Sequence, residues 1–399
     1  MRNVRAAIDA LKKNRDNEII LALPQKQSNQ TIIKKLYNKI IFTNIKEIHY
    51  IQSPLESIEG FLGDIMKIIK KEKIDIVMPF GHASVGACSY GKEKIEEYSK
   101  LIFPDFETFM NFHDKWKTIE ICKRANVPAP ITFHPKDIED LENYKSKITF
   151  PCIIKAQMGC GIKQGVRKAN NWNELIKYYK EITSNENYEF LDNFERPIIQ
   201  EFMEGKIHDV VGVFNNGDPV GVLSQKRYIT YPIEGGTGSV NITTKDSKAI
   251  EYMKKLMKEV KWTGPAMGEF MYIEKEDEFK LIEVNPKFWG TLALSLSVGM
   301  NFPKMAADLA LKNKVTEKFD YPENYMYRWS LTEEIKSLSQ YDSKWEAFKE
   351  YFLRSFRKNK SSEFSWKYFL RSMALLLSTF KFISNSENQY SLEKNPEDE

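Results

Sequence analysis

The sequence predicts an α/β protein with three parts: a parallel, helix-covered sheet, a strand-rich region, and a helical extension. Three observations carry this. Residues 1–110 alternate apolar strand patterns with amphipathic helix patterns, the order that builds a parallel sheet with helices on its faces. Residues 111–315 hold apolar strand runs joined by Gly- and Asn-containing turns, with helices set between them. Residues 316–399 end in amphipathic, aromatic and basic helical segments and a polar tail. A chain of 399 residues is long enough for two or three domains with real cores.

The elements follow in order. Val4, Ala7, Ile8 and Leu11 fall at helical spacing, so the chain opens on a helix over about residues 4–14. A strand should precede such a helix in an α/β unit. Either that opening strand is absent from this chain, through an incomplete sheet edge or a misassigned start, or "EIILAL" (residues 18–23) is the first strand. A helix over 29–40, the strand "EIHYI", the helix "SIEGFLGDIMKIIKKE" and the buried parallel strand "IDIVMPFG" come next. "FHDKWKTIEICKRANVPAP" reads as a helix with Asp114 near its start, stopped by Pro128 and Pro130. "FPCIIKAQMGCGIKQGVRKAN" reads as two strands joined by a glycine-bearing loop, followed by the helix "WNELIKYYKEIT". "PIIQEFMEG", "VVGVFNNGDPVGVLSQKRY" and "MGEFMYIEKEDEFKLIEVN" read as strands with turns. "SKAIEYMKKLMKEVKW" and "NFPKMAADLALKN" read as helices, and the tail "SNSENQYSLEKNPEDE" has a disordered composition.

Composition narrows the function classes. Hydrophobic residues make up 42% and charged residues 29%, an ordinary globular mixture. Lys+Arg 59 against Asp+Glu 55 gives +4, too balanced to imply nucleic acid. Cys88, Cys122, Cys152 and Cys160 show no CxxC or zinc spacing, so free thiols in a reducing cytoplasm are expected. No apolar run approaches a bilayer span, and "MRNVRAAIDALKKN" lacks the apolar core of a signal peptide.

The chemistry concentrates in "GEFMYIEKEDEFKLIEVN". A hairpin symmetric about Glu276 sets Ile273 against Phe279, Met271 against Leu281 and Glu269 against Glu283, with Asn285 on the face of Glu283. Carboxylates opposed across a ladder repel. Buried together, one must protonate unless a cation sits between them. Three oxygen ligands and no soft ones suit Mg²⁺ held together with phosphates; a solvent-facing hairpin with surface acids is the other reading. Lys155 ends the strand "CIIK" and precedes "AQMGCGIKQGV", whose small residues let backbone N–H groups approach phosphate oxygens. That stretch is not a GxxxxGK[ST] loop, and an ordinary turn would look similar. "IIQEFMEG" could present backbone groups to an adenine edge or simply turn. "QKRYITYPIEGGTGSVN" carries Lys226 and Arg227 beside a glycine run, as a loop meeting an anion or a surface loop would.

The succession Lys115, Lys155 with its glycine loop, "QEFMEG", Arg227, Glu269 and "EVNPKFWG" resembles the ATP-grasp superfamily, nearest its carboxylate–amine ligase and carbamoyl-phosphate-synthase-like branch. The resemblance covers residues 18–312, with "PCIIK", "IEVNPK" and "FWGTLALSLSVGMNFP" as its specific parts. It implies a Rossmann-like domain over 1–110, a two-lobed ATP-grasp domain over 111–315 and a helical extension over 316–399. Lys115 and Lys155 would hold ATP phosphates under a flap running from Gly159 through Gly161 to Gly165. Glu201, Phe202 and Met203 would face adenine, the latter two through their backbone, and His208 the ribose. Glu269, Glu283 and Asn285 would bind Mg²⁺ or Mn²⁺, and Arg227 would steady the transferring phosphoryl group. Lys287 stands where the family's arginine follows "NP", keeping the charge but losing the bidentate fork. Cys160 places an oxidisable thiol in the flap.

The activity implied is an ATP- and metal-dependent ligase that activates a carboxylate as an acyl phosphate for attack by an amine. Carboxyphosphate or carbamoyl phosphate chemistry and a non-catalytic ATP-binding protein are the alternatives. The expected partners are small carboxylates and amines, with a homo-oligomer left open. The basic, aromatic C-terminal helices suit a partner subunit, their own domain, or a membrane surface.

Overall fold

The protein is described by a computed structural model over residues 2–13, 16–25, 32–159, 166–185, 191–233, 235–312 and 315–384. Cys160, Gly161, Gly165 and the polar tail lie outside these residues.

The first unit begins with α1 (Arg2–Leu11), which buries Ala7, Ile8 and Ala10. β1 (Ile20–Gln25) is the first strand, as one of the two sequence readings has it, and pairs in parallel with β2 (Glu47–Gln52) across α2 (Ile32–Ile41). α3 (Ile58–Glu72) starts where Ser57 accepts a hydrogen bond from the Gly60 N–H and stops at left-handed Lys73. Its Ile58, Phe61, Leu62, Ile65 and Ile69 form a buried stripe at helical spacing. "IDIVMPFG" forms a shorter ladder than expected. Only β3 (Ile76–Val77) pairs, in parallel, with β4 (Lys100–Leu101), and Pro79, without an N–H, lies just beyond. Among the described residues the parallel sheet is therefore two separate two-stranded ladders. Between β3 and β4 run α4 (His82–Tyr90) and α5 (Lys92–Glu96), and α6 (Phe106–His113) follows. Residues of both β1 and β3 line one large cavity.

α7 (Lys115–Ala125) is capped by Asp114, whose Oδ1 accepts from the Trp116 and Lys117 N–H groups. It ends at left-handed Asn126, two residues before Pro128. A small lobe follows: β5 (Thr132–Phe133), α8 (Ile138–Leu141), β6 (Cys152–Lys155), β7 (Val166–Ala169), α9 (Trp172–Thr183) and β8 (Ile198–Glu201). Its strands lie in the order β5-β8-β6-β7, and Leu175, Tyr179 and Ile182 of α9 pack into a core of their own with Cys152, Ile154 and Ile199.

The large lobe is a seven-stranded sheet. β9 (Lys206–Asn215), β10 (Asp218–Tyr231), β11 (Thr237–Thr244), β12 (Gly264–Ile273) and β13 (Glu278–Asn285) are antiparallel. α10 (Ser247–Glu259) separates β11 from β12, and α11 (Leu292–Ser297) and α12 (Phe302–Ala310) follow β13. Phe61, Phe103 and Phe109 of the first unit share one hydrophobic core with Phe214, Trp262 and Phe270 of this lobe.

The extension adds strands as well as the expected helices. β14 (Met326–Arg328) and β15 (Lys360–Ser362) complete the sheet in the order β13-β12-β9-β10-β11-β14-β15. α13 (Glu333–Ser339), α14 (Lys344–Arg354) and α15 (Phe369–Ser384) accompany them. A buried ion cluster fixes this join: Glu334 accepts from Arg328 at 2.8 and 3.1 Å and from Arg354 at 2.9 Å.

Candidate active site

The cavity, of about 2600 Å³, is lined by both lobes and by the first unit. From the small lobe come Lys155, Gly159, Lys168 and Phe202; from the large lobe come Asp209, Arg227, Glu269, Glu283, Asn285 and Lys287; Lys115 stands at the base of α7.

Strand pairing brings the carboxylates together. Glu269 lies opposite Glu283, as the sequence predicts, but the rest of the hairpin differs. Ile273 faces Glu278, Tyr272 faces Phe279 and Met271 faces Lys280, one residue off the symmetric register. A bulge at Ile282, between the pairs Glu269–Glu283 and Phe270–Leu281, absorbs the extra residue and restores the alignment. Asn285 Nδ2 then donates to Glu269 Oε1 and to Glu283 Oε1, both at 3.0 Å. The three side chains converge, with the Asn285 amide nitrogen facing both carboxylates, and the carboxylate oxygens suit a hard divalent ion.

Arg227 is placed differently from a free phosphate clamp. Its guanidinium pairs with Asp209 at 2.8 Å and with Glu269 at 2.6 Å, and donates to the Gly236 carbonyl at 3.3 Å. Asp209 also accepts from Gln225 at 3.1 Å, and Gln225 donates to Thr291 Oγ1. Burial opposes the Arg227 charge, but Asp209 and Glu269 outweigh it and hold the guanidinium firmly protonated. Burial pushes the Glu269 carboxyl up; Arg227 pulls it back, while Glu283 and Asp209 add to the rise, so the net is upward. For Glu283 burial again raises, but Lys155 and Lys115 win and the carboxyl is held low.

Lys155 ends β6, 6% exposed, paired in register with Val166 and Ile198. Burial lowers its ammonium to about 8, with Glu283 pulling up and Lys115 pushing down. Lys115 is tied to the same loop: its N–H donates to the Gln157 carbonyl at 3.0 Å, and Gln157 Nε2 donates to Asp114 Oδ2 at 2.8 Å. The helix cap and the loop after β6 are thus one unit. Gly159 lines the cavity, yet a side-chain carbon there would meet Phe194 and Asp192 only at ordinary contact distances of 3.5 and 3.6 Å. Gly161 lies outside the described residues.

Of the residues expected at adenine and ribose, Phe202 is the one placed on the cavity wall. Phe202 lines the cavity, with Lys168 Nζ 4.0 Å above its ring. Glu201 and Met203 do not line it; Glu201 instead accepts from the Ile131 N–H at 3.1 Å. His208 does not line it either. Successive strand residues point to opposite faces, and Asp209 takes the cavity side while His208 hydrogen-bonds Asp246 at 2.8 Å beside Tyr272 and Phe279.

Several lining residues escaped sequence reasoning. Asp209 stands opposite Glu269 and Gln225, pairings that no local pattern discloses. His82, at the start of α4, and His113 are joined by a 2.6 Å hydrogen bond. His113 Nε2 meets the Leu191 carbonyl, also at 2.6 Å. A carbonyl only accepts, so His113 carries Nε2–H, and its Nδ1 accepts a hydrogen bond from His82 Nε2–H. Burial lowers both imidazoles, His113 to about 4, and keeps the pair neutral; His113, Lys287 and Lys115 add to the effect on His82.

Comparisons with known proteins bear on the fold that carries this site. The ATP-grasp domain family model matches residues 112–291. The chain is 24% identical over 270 residues to the carbamoyl phosphate synthase large chain of Caldanaerobacter subterraneus subsp. tengcongensis, covering 64% of this chain and 24% of that one. It thus spans about a quarter of the length of the curated relatives it first matches. Among solved structures, the biotin carboxylase domain of the Hydrogenobacter thermophilus 2-oxoglutarate carboxylase, in complex with MgADP, ADP and bicarbonate, superposes with a TM-score of 0.63 at 17% identity, covering 82% of this chain and 71% of that one. The L-amino acid ligase of Bacillus licheniformis gives 0.62 at 14% identity, with 81% and 76% covered. With the two lobes, the paired lysines and the oxygen cluster between them, the chain carries an ATP-grasp domain over residues 112–291.

Proposed function

We propose that this protein is an ATP- and metal-dependent ligase that activates a carboxylate as an acyl phosphate and passes the acyl group to an amine, with ADP and phosphate released. The observation that carries the reading is the meeting of Lys155 with Glu269, Glu283 and Asn285 in one cavity walled by both lobes. Lys115 and Lys155 hold nucleotide phosphates, and Phe202, above which Lys168 sits, forms one wall for the base. Glu269, Glu283 and Asn285 would hold Mg²⁺ or Mn²⁺, which would neutralise charge on the terminal phosphates.

A substrate carboxylate oxygen attacks the γ-phosphorus. The bond to the β,γ-bridging oxygen breaks, and ADP leaves. The amine nitrogen then attacks the acyl carbon, the C–O bond to phosphate breaks, and the nitrogen sheds a proton. Lys287 lines the cavity beside the ligand cluster and offers the acyl phosphate a point charge. Division at residues 110 and 315 belongs to the same reading, although the first unit and large lobe share a core. Bicarbonate is the second candidate acceptor, since the structural relative named above binds it.

ADP release measured with pooled amino acids and small carboxylates, against bicarbonate, separates the acceptors. Glu283→Gln is expected to abolish the release. Undiminished turnover in that variant, or no ADP with any acceptor, refutes the ligase assignment.

A further inference from the structure

The two long C-terminal helices are built inside out. α14 buries only Ala347 and Arg354, and its large apolar side chains face water. Trp345 (72% exposed), Phe348, Phe352 and Phe356 (67% exposed) form a ring ladder with successive centroids 6.1, 6.2 and 4.7 Å apart. α15 repeats the inversion. Ser372 and Thr379 are buried with Leu375, while Phe369, Leu370, Leu377 and Phe380 are exposed. Trp366 (78% exposed) stacks on Phe369 at 5.9 Å. Exposed apolar surface of this extent marks a contact site.

Charge indicates what makes the contact. Residues 344–384 hold nine Lys/Arg against three Glu, a net +6 that exceeds the +4 of the whole chain. Lys344, Lys349, Lys358, Lys367 and Lys381 are exposed among the aromatic side chains. A second copy offering the same face would set these cations against one another. An anionic bilayer satisfies both features: rings and leucines enter the headgroup boundary while lysines meet lipid phosphates. No helix among the described residues is long and apolar enough to cross a membrane, so such contact is peripheral. We propose that α14 and α15 dock this protein on the surface of an anionic lipid bilayer.

Co-sedimentation of the full chain with phosphatidylcholine vesicles, with and without about 30% phosphatidylserine, tests this. Binding should be at least about tenfold tighter to the anionic vesicles and should weaken on raising salt to about 0.5 M. Trp345→Glu/Phe352→Glu and Trp366→Glu/Leu370→Glu change exposed side chains only. Each pair should cut anionic binding about tenfold or more with an unchanged melting temperature. Absence of anionic binding, or sedimentation of both variants like wild type, overturns the assignment. A concentration-dependent dimer that Trp345→Glu/Phe352→Glu dissolves, with no vesicle binding, also overturns it and gives the face to a second copy.

Discussion

Lys155→Met should stabilise the ligand-free protein and remove nucleotide binding at once. The Lys155 side chain is buried, and burial lowers its ammonium to about 8 from the ordinary 10.5. That difference disfavours the charged form by about 3 kcal/mol at pH 7. The sign follows from proton counts. Between about pH 8 and 10.5 the unfolded chain holds the lysine proton and the folded chain does not, so wild-type stability rises with pH across that window. Below it both states are protonated and the full cost remains. Methionine keeps the length and apolar stem without the charge. The variant should therefore gain up to about 3 kcal/mol at pH 7, read from denaturant midpoints, and the gain should fade as pH approaches 10.5. Nucleotide closes most of this gap. At about a hundredfold excess over Kd, ATP with Mg²⁺ adds about 2.7 kcal/mol to wild type and should add nothing to the variant. A variant less stable than wild type at pH 7, or a difference with no pH slope, refutes the burial account. Undiminished stabilisation by ATP refutes the phosphate role.

Two further outcomes rest on the same network. Arg227→Gln removes the one guanidinium that pairs with both Asp209 and Glu269 and should cost about 3–5 kcal/mol in chemical denaturation, because two buried carboxylates lose their counter-charge; adding Asp209→Asn should recover part of the loss. Asp114→Ala removes the α7 cap and the acceptor of Gln157, so it should lower stability by about 1 kcal/mol and raise the Kd for nucleotide in calorimetry by loosening the loop beside Lys155.

The sequence discloses the site where the chemistry is local and misses it where strands far apart meet. Glu269 and Glu283 were readable because a period of two fixes which hairpin residues share a face. The bulge at Ile282 was not, because it compensates a turn register that sequence alone leaves free. His208 and Asp209 show the limit: alternation says they point apart, but only the pairing of Asp209 with Glu269 on a neighbouring strand says which one faces the cavity. β14 and β15, three residues each, carry too few side chains for a period to register, so their place in the large sheet emerges only from folding. The first unit was legible as strand–helix alternation, whereas its division into two ladders is a property of pairing that local pattern does not encode.

The carboxylate pair has a neutral bridge, and this sets a condition on metal binding. Asn285 spends both amide N–H groups on Glu269 and Glu283, while Arg227 answers the other oxygen of Glu269. The two acids therefore share one amide as a common hydrogen-bond donor. To offer a cation its oxygen, the Asn285 amide must turn end for end, since its nitrogen cannot ligate. The carboxylates then lose their bridge as the cation replaces it. Asn285→Asp isolates this exchange: it keeps the shape, deletes both donors and adds a third acid. The variant should lose about 3 kcal/mol in the absence of metal at pH 7, and Mg²⁺ alone, without nucleotide, should raise its melting temperature more than it raises that of wild type. If Asn285→Asp melts like wild type without metal and responds no more strongly to Mg²⁺, the amide is not what holds the acids together.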